Sequence, residues 1–329
     1  MIQKPAWLSF LKFNPIPTLL ECPHPSVQYF TRRDLLDTKV GGVEVLWQLP
    51  QPVKLLDQQR QDGAWNYPGP VRENGENYSL LETFRSLGIL IEKYAFDRRH
   101  PSIPPAAEYL FAYQTEEGDI RGMFGTQYVP HYHAGMMELL CKAGYAEDPR
   151  VKKGMEWLLA CRQNDGGWAG PMRTAKVPYY EAVKKAEPVK TDPTKPFSHL
   201  MTGIALRAFA AHPEYRKHPA AKKAGELLAG RFFQADKYVD RRTPDYWEKV
   251  TFPFWFTDIV SALDSLSWLG FKPDHPDIRK ALENIRSHQQ RNGLFDYKAL
   301  KGGNDPSQPH WGCLAICRLI KRLSVSSPL

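Results

Sequence analysis

Carboxylates, imidazoles and aromatic rings recur on stretches that are otherwise apolar, and acid–base chemistry or ligand capture would be built from those side chains. The carboxylates are Glu82, Glu138, Asp258 and Asp264. A carboxylate on a buried apolar face either pairs with a cation or shifts toward its protonated form, and both outcomes can serve acid catalysis. Pairing with Arg85, Arg207 or Lys142 is the structural alternative for most of them. Asp258 stands apart because Phe254, Trp255 and Phe256 surround its approach. Aromatic walls exclude water and attract cations through their ring faces. Asp258 is therefore the first candidate acid and Glu82 the second, with ordinary core packing as the competing explanation for the rings.

Histidines also sit where apolar stretches begin: His131 and His133, His199, and His310. Imidazoles there could take a ligand or move a proton; the plainer role is to hydrogen-bond helix ends and loops. His131 and His133 do not form a metal pair, since two residues at a helix start diverge by about 200°. The candidate ligand-binding set is Tyr78, His133, His199, Phe254, Trp255, Phe256, His310 and Trp311, and no metal site is expected.

The elements that would position these residues come from a repeated phrase. Gln59, Asp62, Gly63 and Trp65 form the first copy, and Gln114, Glu117, Gly118 and Ile120 the second. Gln163, Asp165, Gly166 and Trp168 follow, then Gln289, Asn292, Gly293 and Phe295, with a degenerate copy over 233–238. Successive copies lie roughly 50–70 residues apart, the span of a two-helix repeat. The glycine supplies a left-handed cap, the Asp or Asn tolerates the turn, and the aromatic packs over the junction. The glutamine can bond orphan carbonyls at the helix end.

Amphipathic helices opening on proline are predicted over 105–114, 149–161 and 276–286. Their partners, over 78–94, 131–144, 199–211, 255–270 and 310–323, are apolar on most faces, as buried or cavity-lining helices must be. An early pair over 26–38 and 43–59 brings the inner helices to six. The expected fold is all-α, an α/α toroid of about six helical hairpins with an inner and an outer ring. Residues 26–329 form its single domain, 1–25 an extended arm, and the Pro- and Lys-rich stretch near 170–196 a loop excursion or flap.

Bulk properties narrow the function classes. The chain has 329 residues, 42% of them hydrophobic, enough for a sizeable core. No apolar run approaches the roughly 20 residues of a membrane span, and the N-terminus lacks the features of a secretory signal. Five scattered cysteines suit reduced thiols in a cytoplasm. The net charge of +8 is spread over basic pairs. That pattern fits solvated outer faces, then an anionic partner or membrane surface, and nucleic acid last.

Repeated in register, and beside the Gly122 to Gly125 variant, the Gln-x-x-Asp-Gly-x-Trp phrase resembles the "QW" repeats of squalene and terpenoid cyclases. It equally resembles the repeat of protein prenyltransferase β subunits, and the likeness covers roughly 26 to 323. The cyclase resemblance implies an isoprenoid substrate and an Asp-x-Asp-Asp acid motif. Asp258 matches the last Asp of that motif, while Phe256 or Thr257 stands where the proton donor belongs. The prenyltransferase resemblance implies zinc, held by Asp-x-Cys and a histidine. The segment from Asp305 to Cys317 resembles the His-bearing part, with His310, but no Asp-x-Cys precedes it. No cofactor is expected, zinc being the one left open.

Three functions follow as expectations. The first is a cyclase- or prenyltransferase-like protein that binds an isoprenoid in a central aromatic cavity and cyclises it by acid catalysis. The second is a toroid that binds an apolar ligand or a peptide without catalysis. The third is a carbohydrate-active toroid with paired carboxylates across a polar cleft. The expected partner is an apolar or isoprenoid small molecule, with peripheral membrane contact and no nucleic acid, in the cytoplasm or at a membrane surface.

Overall fold

A computed structural model describes residues 5–71, 76–299 and 305–326. The helices are α1 (Ile16–Leu20), α2 (Pro25–Phe30), α3 (Glu44–Trp47), α4 (Pro50–Leu56) and α5 (Tyr78–Tyr94). Next come α6 (Ile103–Phe111), α7 (Pro130–Leu140), α8 (Pro149–Ala160), α9 (Pro171–Thr174) and α10 (Tyr179–Ala182). The last are α11 (His199–Ala211), α12 (Pro219–Ala229), α13 (Ile259–Trp268), α14 (Pro276–Ser287) and α15 (Gln308–Ser326). Among the described residues extended backbone forms isolated bridges and no strands. The fold class is all-α, of the hairpin type that builds α/α toroids.

The chain forms two compact units. The first comprises Met1–Gly42, Leu228–Ala235 and Thr243–Leu329, and the second Val43–Leu227 and Asp236–Arg242. In the second unit α5 packs on α6 and α7, and α7 packs on α8 and α11. In the first, α13 packs on α14 and α15, and α15 also meets α1 and α2.

Burial separates the helices as the apolar pattern requires. Every residue of α11 from His199 to Ala210 is buried, whereas α14 buries only Ile278, Ala281, Leu282 and Ile285, a single stripe. Prolines open α4, α6, α7, α8 and α14. There a missing N–H costs nothing.

The repeated phrase is a clamp between consecutive hairpins. Gln59 Nε2 donates to Gly63 O of its own turn and to Ser102 O at the start of α6, both at 2.9 Å. Gln114 repeats this with Gly118 O (2.7 Å) and Arg150 O (2.8 Å). The expected bond to the glutamine's own helix end is thus replaced by one that reaches forward. Gly63 is compelled twice over: its φ is +87°, and a Cβ would lie 2.2 Å from Pro105 O. The tryptophans complete the clamp, with indole N–H bonds from Trp65 to Leu55 O (2.7 Å) and from Trp168 to Leu158 O (2.8 Å).

Two clamps receive substitutes for an outer helix. Gln163 donates to Asp192 O (2.8 Å) and Lys195 O (2.9 Å), at the end of the predicted excursion. Gln289 exchanges bonds with Phe13, its Nε2 donating to Phe13 O at 2.8 Å and its Oε1 accepting from Phe13 N at 3.1 Å. The N-terminal segment is therefore not simply extended. It carries a 3-10 turn over Ala6–Phe10 as well as α1, and Arg286 and Lys12 add bonds that fasten it to the end of α14.

Candidate functional site

The residues singled out from sequence hold the fold together more than they face open space. Asp258 caps α13: its Oδ1 accepts from Val260 N (2.9 Å) and Ser261 N (2.8 Å), and Ser261 Oγ accepts from Asp258 N (2.9 Å). The first candidate acid is thus engaged as an acceptor in a capping box. Glu82 is half-buried, and burial raises its pKa against the opposing charge of Arg85, 3.3 Å away.

His133, expected at a ligand, is fully buried with both ring nitrogens in use. Nδ1 accepts from Ile120 N at 2.9 Å and Nε2 pairs with Gly154 O at 3.0 Å. It ties a repeat turn to α8, the structural role open to these histidines. Thr83 and Thr202 do the same job at the equivalent turns, accepting from Trp65 N (3.1 Å) and Trp168 N (2.9 Å). His199 is also buried, its Nδ1 3.3 Å from Asp236 Oδ2. That same oxygen accepts from Ser198 Oγ and Leu200 N, so Asp236 of the degenerate phrase secures the start of α11.

Trp311 is core: its ring stacks on Phe252 at 5.4 Å and meets His24 edge-on at 5.1 Å. Phe254, Trp255 and Phe256 are half-buried in the loop before α13, and His310 is half-buried in the first turn of α15 with its pKa lowered by burial. Tyr78 opens α5 with its ring 5.0 Å from that of Tyr67.

What the second unit does bring together is a cavity of about 160 Å³. Its wall is drawn from four places: Phe124 and Tyr128 before α7, His131 in the first turn of α7, Met201 in the first turn of α11, and Arg173 and Tyr179 of the excursion. Asp240 closes it, held by Arg173 through Nε (2.8 Å) and Nη2 (2.6 Å). None of the ten candidate acid and ligand-binding residues lines this cavity; His131, named beside His133 but left out of that set, does.

The excursion is fastened over that cavity. Gln127, fully buried, donates to Ala182 O and accepts from Val189 N, both at 2.8 Å. Tyr179 donates to Glu76 at 2.8 Å, and its ring stands edge-on to Phe124 at 5.3 Å. Phe124 meets Tyr132 on another side at 5.5 Å. The result is an aromatic corner with one carboxylate and one imidazole.

The imidazole of His131 is the least satisfied of these polar groups. Its Nδ1 is buried with no hydrogen-bond partner among the described residues. Burial lowers its pKa to about 4, with Asp240 opposing, so the ring is neutral near pH 7. His133 is likewise lowered to about 4 by burial, against its bond to Gly154. The sign follows: an unfolded chain takes up these protons near pH 6.5, the folded one only near 4. Stability is whole above pH 6.5 and falls between there and 4. Urea midpoints across that range should decline, and His133→Gln should flatten the decline.

His131 was within reach of sequence reading, two residues from the one preferred. Asp240 and Arg173 were not, since they stand 67 residues apart with no motif around either. Among the described residues no three His, Cys, Asp or Glu side chains converge as metal ligands would. No helix among them is long and apolar enough to cross a membrane.

A family model described as the squalene-hopene cyclase C-terminal domain matches residues 82–195. That range holds α6 to α10 and most of the cavity wall. Over that range the chain is similar to squalene-hopene cyclases. A protein of Sinorhizobium fredii named "Probable squalene–hopene cyclase" is 28% identical over 152 residues, 44% of this chain. The aligned stretch spans 21% of that relative's length. Among solved structures, a protein from Actinoplanes is similar over 98% of this chain and 90% of its own, with 16% identity and a TM-score of 0.44. The type II terpene cyclase MstE from Scytonema, in complex with geranylgeranyl dihydroxybenzoate, is similar over 98% and 88%, with 12% identity and a TM-score of 0.47.

Proposed function

We propose that the chain binds one end of an isoprenoid-type apolar ligand in the second unit's cavity, without cyclising it. The observation that carries this reading is the buried, unpartnered Nδ1 of neutral His131 at an aromatic corner. A prenyl chain fits the rings of Phe124 and Tyr179, and a hydroxyl end satisfies the imidazole. The family match supplies the isoprenoid class. At about 160 Å³ the cavity is smaller than the roughly 300–1,000 Å³ of sites that enclose a whole ligand, which is why one end is proposed. The absence of turnover rests on the acid–base inventory. Asp240 is tied by two bonds to Arg173, His131 is neutral, Asp258 caps a helix, and Glu82 beside Arg85 does not line the cavity.

Calorimetric titration with farnesol tests the proposal. Saturable binding is expected, and Met201→Trp, which fills the cavity, should abolish it. His131→Ala should weaken it about fivefold, the worth of one net hydrogen bond of ~1 kcal/mol. Farnesol recovered intact after long incubation agrees with a binder; a cyclised product would overturn that half of the proposal.

A further inference from the structure

The two sides of the second unit's cavity are held with unequal firmness. On one side stands Arg173 of α9, in a helix that buries Pro171 and Thr174. Thr174 Oγ1 donates to Pro171 O at 2.9 Å and accepts from Asp192 N at 3.1 Å. Gln163 in turn grips the Asp192 carbonyl, so Arg173 is carried on a braced post. Facing it, Asp240 rides on a 3-10 turn over Val239–Arg241. The base of that turn is Asp236, which is buried, secures the start of α11 and donates its N–H to Arg241 O at 2.7 Å. None of the six residues from Lys237 to Arg242 is buried, and Val239 is 48% exposed.

A turn of this kind can swing outward while uncovering little new apolar surface, as the segments of a protein that open first do. Tyr238 steadies the base by donating to Pro196 O at 2.6 Å. At the tip, the tie across the cavity is the pair of bonds from Arg173 to Asp240. We propose that the Asp240 turn is a door to the cavity, hinged at its Asp236 base and latched by the Arg173–Asp240 ion pair, so that the pair sets how fast a ligand enters. This regulation rests on the reading of the cavity as a ligand site. With side-chain exposures of 41% and 29% the pair meets solvent. Losing it should raise the rate of opening about two- to fivefold, as for other exposed pairs.

His131 reports on entry from inside. It lines the cavity and is neutral near pH 7, and loss of the Asp240 charge would lower its pKa further, so its ionisation there does not change. Carbethoxylation of the full chain by diethyl pyrocarbonate at pH 7 is followed residue by residue by mass spectrometry. His133, with both ring nitrogens bonded, is the internal reference. Asp240→Asn and Arg173→Gln should each speed labelling of His131 about two- to fivefold, and the double variant should go no further. Exchanging the charges, Arg173→Asp with Asp240→Arg, should bring the rate back toward that of the unmodified chain. Salt at about 1 M, where the screening length is roughly 3 Å, should speed labelling of the unmodified chain and leave Asp240→Asn unmoved. A His131 rate indifferent to both single substitutions, effects that add in the double variant, or an equal rise at His133, the mark of general loosening, would overturn the proposal. The label and not farnesol is the readout, so failure to take up farnesol would sink the ligand reading and leave the result on the latch standing.

Discussion

Trp168→Ala lowers the stability of the chain by about 3–5 kcal/mol, the range for deleting a buried aromatic. Its ring is fully buried and lies 5.4 Å from that of Phe209. Its indole N–H reaches Leu158 O, and its backbone N–H reaches Thr202. The substitution therefore removes packing and leaves the Leu158 carbonyl at the end of α8 with only the weak Cys161 Sγ donor at 3.5 Å. Urea unfolding is the measurement. Trp168→Phe, which keeps a ring and loses the N–H, should fall between the two. Trp268, 44% exposed under the Arg322 guanidinium, should cost less than about 1 kcal/mol as alanine. If Trp168→Ala proved as mild as that, the clamp would not be what secures the third hairpin.

The second large effect lies between α7 and α11. Glu138 accepts from Arg207 Nε and Lys142 Nζ, both at 2.8 Å, and Lys142 also pairs with Glu92 of α5. Glu138 and Arg207 are both buried, and Arg207 Nη1 has no partner among the described residues. Glu138→Leu leaves that guanidinium buried without its carboxylate, a change that typically costs about 3–5 kcal/mol. Arg207→Met should cost less, because Lys142 still holds Glu138. The double variant should recover most of the loss, since a packed apolar pair often equals a buried ion pair. A coupling near zero in that cycle would show the pair to be idle.

The same pair sets an acid limit. Burial alone would raise the pKa of Glu138, but Arg207 and Lys142 outweigh it and hold it below its ordinary 4.5. Its contribution is complete above that pH and is lost as the pH falls further, beyond the window in which the histidines act. Glu138→Gln should remove the lower part of the acid transition and leave the upper part.

The hairpins were legible because their signals are local. Proline starts, Gly turns and an apolar period of 3.6 place α5, α8, α11 and α14 within a few residues of their observed ends. So were the pairings of Glu82 with Arg85 and of Glu138 with Arg207 and Lys142, whereas Asp264 pairs with Arg322 of α15. The candidate site was harder. Asp258 looked like an acid because three aromatics precede it, yet an Asp three residues before Ser261 at a helix start is equally a cap, and backbone satisfaction won. His133 and His131 differ only in the direction they leave the first turn of α7. One points into the protein between a turn and α8, and the other into the cavity. The remaining wall comes from the excursion and from the turn at Asp240, whose meeting depends on how distant segments pack.

The grip of Gln289 on Phe13 bridges 276 positions of sequence. On a ribosome the early segment emerges long before its acceptor turn exists. At roughly 5–20 residues per second, the wait is on the order of tens of seconds. Throughout it Trp7, Leu8 and Leu11, all buried in the finished protein, have nothing native to cover them. The second unit draws its contacts from Val43–Leu227 and Asp236–Arg242 and can mature early in synthesis, while the first joins segments that lie on either side of that run and waits for the later ones to emerge.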